Sequence, residues 1–427
     1  MFKIGVCGLG TVGKNLINHI NKYQEKISNN CGQEFVISLV ADRSINNKKV
    51  DVENIQLSDD VLSAADSDCD LIIELIGGTD IAYDLIKKAI CNGKSVITAN
   101  KALIAEHGDE LFKLSYDKKT YLGFEAAVAG AIPIIKSLTH NMQNERILSI
   151  SGIINGTCNY ILDQMTFENK SFSDALTAAQ ELGYAESDPT FDIGGFDAAH
   201  KISILAMLAY GIKSPFKKVH IEGIESIESM DIDYANELGY KIKHVGLVKS
   251  ENSTIDCRVH PVLIHKSNIL SNVDGVMNAV RTRGDKFGTS VLYGHGAGGE
   301  ATASAVVSDI IDFSNYKNKS NIKYINDSNE EIKICNIIDT HSSYYLRIYA
   351  NDVPGVMAEV TSTLASFDIS IEAVTQHEPI EKEKLIPIVM ITNYVNHKKI
   401  LSAINQIESL KNISGKISLI RVFNNDE

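Results

Sequence analysis

The sequence predicts an α/β protein: a Rossmann-type doubly wound nucleotide domain, an α+β middle domain and a C-terminal ferredoxin-like βαββαβ domain. Over the first 126 or so residues, short apolar runs alternate with helical patterns. The first run leads into Gly8-Leu9-Gly10-Thr11-Val12-Gly13. After a polar stretch, a strand–helix–strand–strand–helix–strand pattern follows.

In the first region Phe2–Cys7, Phe35–Ala41, Cys69–Ile76, Ser95–Thr98 and Tyr121–Phe124 are near-continuous apolar runs, as parallel strands covered on both faces should be. Thr11–Tyr23, Asp80–Asn92 and Gly108–Tyr116 read as the helices between them. The pattern then changes. A helix over Ile132–Asn141 leads to a strand over Ile147–Ile154, and a helical region from Thr157 to Tyr210 breaks near Asp188-Pro189. Mixed strands run to about Arg283, and a helix over Ala301–Phe313 returns to the nucleotide domain. Tyr316–Glu331, rich in Asn, Lys, Ser and Asp, reads as linker. In the last domain Tyr345–Ala350, Ile386–Thr392 and Ile417–Val422 pattern as strands. Met357, Val360 and Leu364 make one helix stripe, and Ile400, Ile404 and Ile407 another. The expected domains are 1–130 completed by about 295–315, then 131–294, a linker over 316–342, and 343–427.

With 427 residues and 44% hydrophobic content, two or three domains with sizeable cores are expected. The balance of 41 basic against 54 acidic residues, net −13, repels phosphate backbones and argues against nucleic-acid partners. Seven scattered cysteines without a CxxC pair fit a reducing cytoplasm. No signal-peptide pattern precedes the first strand, and no apolar run approaches the ~20 residues of a membrane helix.

The glycine turn points to a dinucleotide. Gly8 permits the tight turn, Gly10 lets a pyrophosphate approach the backbone, and Gly13 lets helix pack on strand. Thr11 and Val12 open the helix whose N-terminus favours phosphate. At the end of the second strand Asp42 would favour the ribose of NAD, whereas Arg43, followed by Lys48 and Lys49, would favour the 2′-phosphate of NADP; the sequence points both ways.

Three further stretches carry chemistry. Thr98-Ala99-Asn100-Lys101 follows a strand, where an open α/β sheet places its ligand. Asn155-Gly156-Thr157 ends a strand and opens a helix, offering N–H groups and a hydroxyl to an anion. Gly183-Tyr184-Ala185-Glu186-Ser187-Asp188-Pro189-Thr190-Phe191-Asp192 continues through Asp197 to Lys201. Asp197 and Lys201, four apart, share a face of an otherwise apolar helix, where charges need a partner or ligand.

These stretches, with the opening GLGTVG, resemble the homoserine dehydrogenase family, in unbroken order from Met1 to about Asp312. The resemblance implies NADP- or NAD-dependent reversible reduction of aspartate 4-semialdehyde to homoserine, with the middle domain binding substrate and mediating dimerisation. It implies Lys101 and Lys201 as catalytic lysines, and Lys101 also beside the cofactor. Glu186, Asp192 and Asp197 correspond to substrate-side acids, and Tyr184, Asn155, Gly156 and Thr157 to pocket residues. The stretch Glu125–Pro133 looks like the family's monovalent-cation loop, with backbone carbonyls of Glu125, Val128, Gly130 and Ile132 toward sodium. The nucleotide-side loop Tyr293-Gly294-His295-Gly296-Ala297-Gly298-Gly299 lacks the proline usual between its first glycines, which weakens the carry-over at Gly298.

Asn351-Asp352-Val353-Pro354-Gly355-Val356-Met357 and Ile369–Gln376 resemble an ACT domain, implying feedback by an amino acid such as threonine, and a homodimer or homotetramer. The rival readings are an aldehyde dehydrogenase using Cys158 as nucleophile, and a sensor that keeps the fold without the chemistry.

Overall fold

The structure is a computed structural model that describes residues 1–45, 55–251, 254–316, 333–377 and 385–424. The strands are β1 (Phe2–Cys7), β2 (Phe35–Ala41), β3 (Gln56–Ser58), β4 (Leu71–Glu74), β5 (Ser95–Thr98), β6 (Leu122–Gly123), β7 (Ile147–Ile153), β8 (His220–Ile221), β9 (Tyr240–Glu251), β10 (Thr254–His265), β11 (Met277–Gly284), β12 (Gly288–His295), β13 (Lys333–Ile334), β14 (His341–Asn351), β15 (Ile371–Gln376), β16 (Leu385–Thr392), β17 (Val395–Asn396) and β18 (Ile413–Val422). The α-helices are α1 (Thr11–Cys31), α2 (Asp80–Cys91), α3 (Lys101–Lys118), α4 (Ile134–Lys136), α5 (Gly156–Glu168), α6 (Phe172–Glu181), α7 (Thr190–Ile193), α8 (Phe196–Tyr210), α9 (Ser229–Glu237), α10 (Gly299–Tyr316), α11 (Val356–Ser366) and α12 (His397–Glu408). Among the described residues no helix is long and apolar enough to cross a membrane.

The chain divides into two compact units, one of residues 1–148, 199–219 and 277–331, the other of 149–198, 220–276 and 332–427. In the first unit β3-β2-β1-β4-β5-β6 form a parallel sheet in the order of a doubly wound nucleotide fold. Ile4, Val6, Leu16, Ile20, Ile73, Val306 and Ile310 share its core, so α1 and α10 cover the sheet together. β11 and β12 form an antiparallel hairpin.

Several elements differ from the sequence reading. α1 continues past Tyr23, where the backbone kinks (φ −125°), and stops at Gly32 in the left-handed conformation. α3 starts at Lys101 because Asn100 caps it through the Leu103 N–H. It runs on through Gly108, where a Cβ would lie 3.0 Å from Met207 Cε: the glycine permits close packing there and does not start the helix. The helix expected over Ile132–Asn141 is one α-turn followed by a π-helical turn over Ser137–Asn141, with Thr139 Oγ1 donating to Ile135 O at 2.8 Å. Of the expected linker, residues 317–332 lie outside the described residues, while Lys333–Ile334 is a strand and Ile337–Asp339 a 3-10 turn.

In the second unit the sheet order is β7-β9-β10-β18-β14-β16-β15. β9 and β10 pair antiparallel along their length. The other edge of β10 is shared by three parallel segments in succession: β13 at Thr254, β8 at Arg258 and β18 at Val262. The βαββαβ segment, expected as a separate unit, thus shares its sheet with the middle domain. Both faces of β14 are covered. Tyr344, Leu346 and Ile348 pack under α11 and α12, and Tyr345 joins the core of α5 and α9.

Candidate active site

In the first unit the glycine turn has the geometry a dinucleotide needs. Gly8 has φ +100°, and a Cβ there would lie 2.4 Å from Leu75 O. At Gly13 a Cβ would lie 2.1 Å from Gly8 O, whereas beside Gly10 nothing stands within 4 Å. No side chain caps α1 at Gly10, so the N–H groups of its first turn, from Thr11 and Val12 onward, remain for a phosphate. Asp42 turns inward: it accepts Leu9 N at 2.6 Å and Ser44 N and Oγ at 2.8 Å. Its neighbour Arg43 is exposed, and Lys48 and Lys49 lie outside the described residues. Gly298 has φ +114° with open space around it, and a Cβ on Gly299 would lie 2.4 Å from Asn15 Nδ2, so this loop ends against the first turns of α1. His295 and Glu300 are exposed.

Lys101 opens α3 at the end of β5, half-buried, and Lys201 lies in α8 at 7% exposure; both belong to the first unit. The turn before Lys101 is held by a residue the sequence reading missed. Buried Glu74 accepts Thr98 Oγ1 at 2.5 Å and the N–H groups of Ile76 and Gly77 at 2.7 and 3.3 Å, and Thr98 Oγ1 accepts Asn100 N. Burial pushes its carboxyl above the ordinary range, against these donors.

In the cation loop Ala129 and Gly130 are consecutive left-handed residues (φ 56° and 54°), which redirects the carbonyls on either side. The Glu125 carbonyl accepts Val128 N at 3.4 Å, and that of Ile132 accepts Ile134 N at 2.8 Å. The Glu125 carboxyl caps the next helix through Ile135 and Lys136 N–H at 2.9 Å each; burial, then Asp309, raises its pKa to about 7. Among the described residues no group of three His, Cys, Asp or Glu could hold a metal ion. A donor set of carbonyls alone suits a hard monovalent cation.

In the second unit Asn155 brings two predicted acids together. Its side-chain oxygen caps α5 through Cys158 N at 2.7 Å, and its amide nitrogen donates to Asp192 Oδ1 at 2.8 Å and Asp197 Oδ2 at 2.9 Å. One amide group thus fixes the position of both carboxylates. A Cβ on Gly156 would lie 2.7 Å from Val276 O. Thr157 Oγ1 donates to Tyr184 O at 2.8 Å, so its proton, expected for a ligand, is committed to the protein, and the N–H groups of Gly156 and Thr157 remain as anion donors. Tyr184 is 43% exposed and Glu186 is exposed. Cys158 is fully buried with Sγ 3.2 Å from Asp192 O, the setting of a core thiol and not of a nucleophile. Beneath this loop lies a second missed group. Buried Lys243 donates to Asp163 at 2.7 Å, Asn159 at 3.1 Å and Val273 O at 2.6 Å, and so fixes the segment under Gly156.

Fold and side chains define a dinucleotide-dependent oxidoreductase with an appended regulatory fold. Family models match in three stretches: "Homoserine dehydrogenase, NAD binding domain" over 8–125, "Homoserine dehydrogenase" over 133–311 and "ACT domain" over 344–412. Homoserine dehydrogenase of Pseudomonas aeruginosa is 43% identical over 98% of both chains, and that of Helicobacter pylori 42% over 99% of both. A homoserine dehydrogenase crystal structure from Thiobacillus denitrificans superposes with TM-score 0.93 at 39% identity, covering 99% of this chain and 98% of that one. A hyperthermophilic archaeal homoserine dehydrogenase in complex with NADPH gives 0.63 at 28%, covering 73% of this chain and 97% of that one. The chain belongs to the homoserine dehydrogenase family of NAD(P)-dependent oxidoreductases and carries a C-terminal ACT domain.

Proposed function

We propose that this homoserine dehydrogenase works with NADP in the cytoplasm, and that its substrate machinery is the set named above. Asp192 and Asp197, with Glu186, bind the ammonium group of homoserine or aspartate 4-semialdehyde. The N–H groups of Gly156 and Thr157, with Asn155 and Tyr184 beside them, meet its carboxylate. The observation that carries this assignment is the Asn155 amide held between Asp192 and Asp197. Bound nicotinamide supplies or accepts the hydride. One of Lys101 and Lys201 donates a proton to the aldehyde oxygen as it becomes an alkoxide, and the other stabilises the developing charge. For oxidation the acceptor lysine must be neutral, so that direction gains toward alkaline pH.

NADP is favoured because Asp42 is engaged by the glycine turn while Arg43 is exposed beside it. Carbonyls of Glu125, Val128, Gly130 and Ile132 would hold sodium, supported by the left-handed pair at 129–130. The ACT domain takes an amino-acid effector, threonine, and the enzyme is a homodimer or homotetramer. A spectrophotometric assay with aspartate semialdehyde tests the reading. NADPH oxidation at a KM about tenfold below that for NADH, inhibited by threonine, is expected. Turnover with NADH alone would overturn the cofactor assignment, and an unchanged rate with threonine would overturn the effector.

A further inference from the structure

Strand β18 of the ACT domain carries Arg421, 2% exposed, whose Nη1 donates to both carboxylate oxygens of Glu222 at 2.9 Å. Glu222 follows β8 in the middle domain, and its N–H donates to Val259 O at 2.8 Å. His220 reaches the same carboxylate at 2.5 Å. The backbone of this segment presses on the turn preceding α8. Ile224 N donates to Ile193 O at 2.9 Å, and a Cβ on Gly223 would lie 2.4 Å from Ile193 O and 2.9 Å from Gly194 Cα. His244, buried, reaches Glu222 O through Nε2 at 3.0 Å, and its Cε1 stands 3.3 Å from where a Gly195 Cβ would be. Gly195 has φ +88°, so only a glycine fits both that conformation and that space. Asp192 stands three residues before Gly195 and Asp197 two residues after it, the pair held on Asn155.

We propose that Glu222 is a positioning residue: the ACT domain's Arg421 holds its side chain, and its backbone, with His244, braces the Gly194-Gly195 turn that sets Asp192 and Asp197. The inference rests on the reading that those two carboxylates bind substrate. Its physical basis is leverage. The turn is fixed by close backbone contact, so a shift of the 222–224 segment moves the carboxylates with it. Arg421 and Glu222 are the point at which the ACT sheet grips that segment.

The test uses the full-length enzyme with homoserine and NADP+. Glu222→Gln keeps the shape and removes the charge that Arg421 holds. KM for homoserine is expected to rise roughly five- to tenfold, with KM for NADP+ within about twofold of the parent. Arg421→Met should act in the same direction, and the double variant should be no worse than the poorer single one. If Glu222→Gln does not fold, Arg421→Lys, which keeps the charge but loses the forked geometry, carries the same comparison. Equal rises in both KM values, multiplicative single effects, or no change would overturn the proposal. Asp197→Asn separates the two readings. If it raises the homoserine KM while Glu222→Gln does not, the bracing role alone fails; if it leaves kinetics unchanged, the substrate assignment fails.

Discussion

The Asp42 carboxylate accepts the Leu9 N–H at 2.6 Å, tying the end of β2 to the glycine turn. The neighbouring Arg43 is exposed, and the proposed NADP preference assigns it the 2′-phosphate. Arg43→Ala should raise KM for NADP+ about tenfold or more, the loss of a charge-assisted contact worth roughly 1.5–3 kcal/mol, and leave KM for NAD+ within about twofold. Steady-state rates with both cofactors measure this. An equal change in the two would count against a 2′-phosphate contact.

Lys201→Ala should lower kcat by roughly 10²–10⁴ while the circular dichroism spectrum stays that of the parent. Lys201 is buried at 7% exposure, so the thermal midpoint is measured beside the rate to separate lost chemistry from lost folding. In the parent, homoserine oxidation should climb with pH, and the residual activity of the variant should lose that dependence. Near-parental turnover would remove Lys201 from the chemistry.

The ACT sheet is anchored by a buried pair. Arg347 Nε and Nη2 donate to Asp231 Oδ1 and Oδ2 at 2.7 and 3.0 Å, and Tyr345 OH donates to Oδ1 at 3.0 Å. Asp231 is fully buried. Arg347→Met strands that charge and should destabilise the fold by about 3–5 kcal/mol in urea unfolding, and Asp231→Asn in the same background should recover part of the loss. A variant as stable as the parent would show the pair to be incidental.

His397 opens α12 and is 5% exposed, with Tyr344 OH at 3.0 Å from its Nδ1. Burial, then the Arg421 charge, lowers its pKa to about 4. A folded pKa below the unfolded value of roughly 6.5 means that its contribution is complete above about 6.5 and lost as pH falls through about 4. Thermal midpoints from pH 7 to 4 should therefore fall less steeply in His397→Gln than in the parent. Parallel curves would show that the imidazole does not drive the acid loss.

Much of this molecule was legible because its signals are local. Continuous apolar runs gave β1, β2 and β5 their bounds, and the glycine turn and the 183–201 stretch named the candidate residues. Where distant chain segments decide the outcome, the reading fell short. Gly108 looks like a helix boundary until Met207 is seen to need its space. Thr157's hydroxyl looks available until Tyr184 O is placed beside it. Lys243 and Asp163 lie 80 residues apart, and Glu74 meets Thr98 only through the pairing of β4 with β5, so no spacing rule could have paired them. Asp42 and Arg43, neighbours in sequence, differ in setting: Asp42 accepts the Leu9 N–H and Arg43 is exposed.

During synthesis β10 leaves the ribosome long before β18 exists. Until then the backbone groups of Val262 and Leu263, whose side chains are buried in the finished sheet, form an open strand edge able to recruit other chains. The sheet of the middle domain is therefore completed only after the ACT segment emerges. For the same reason, a chain cut before residue 343 should expose this edge and aggregate where the full chain does not.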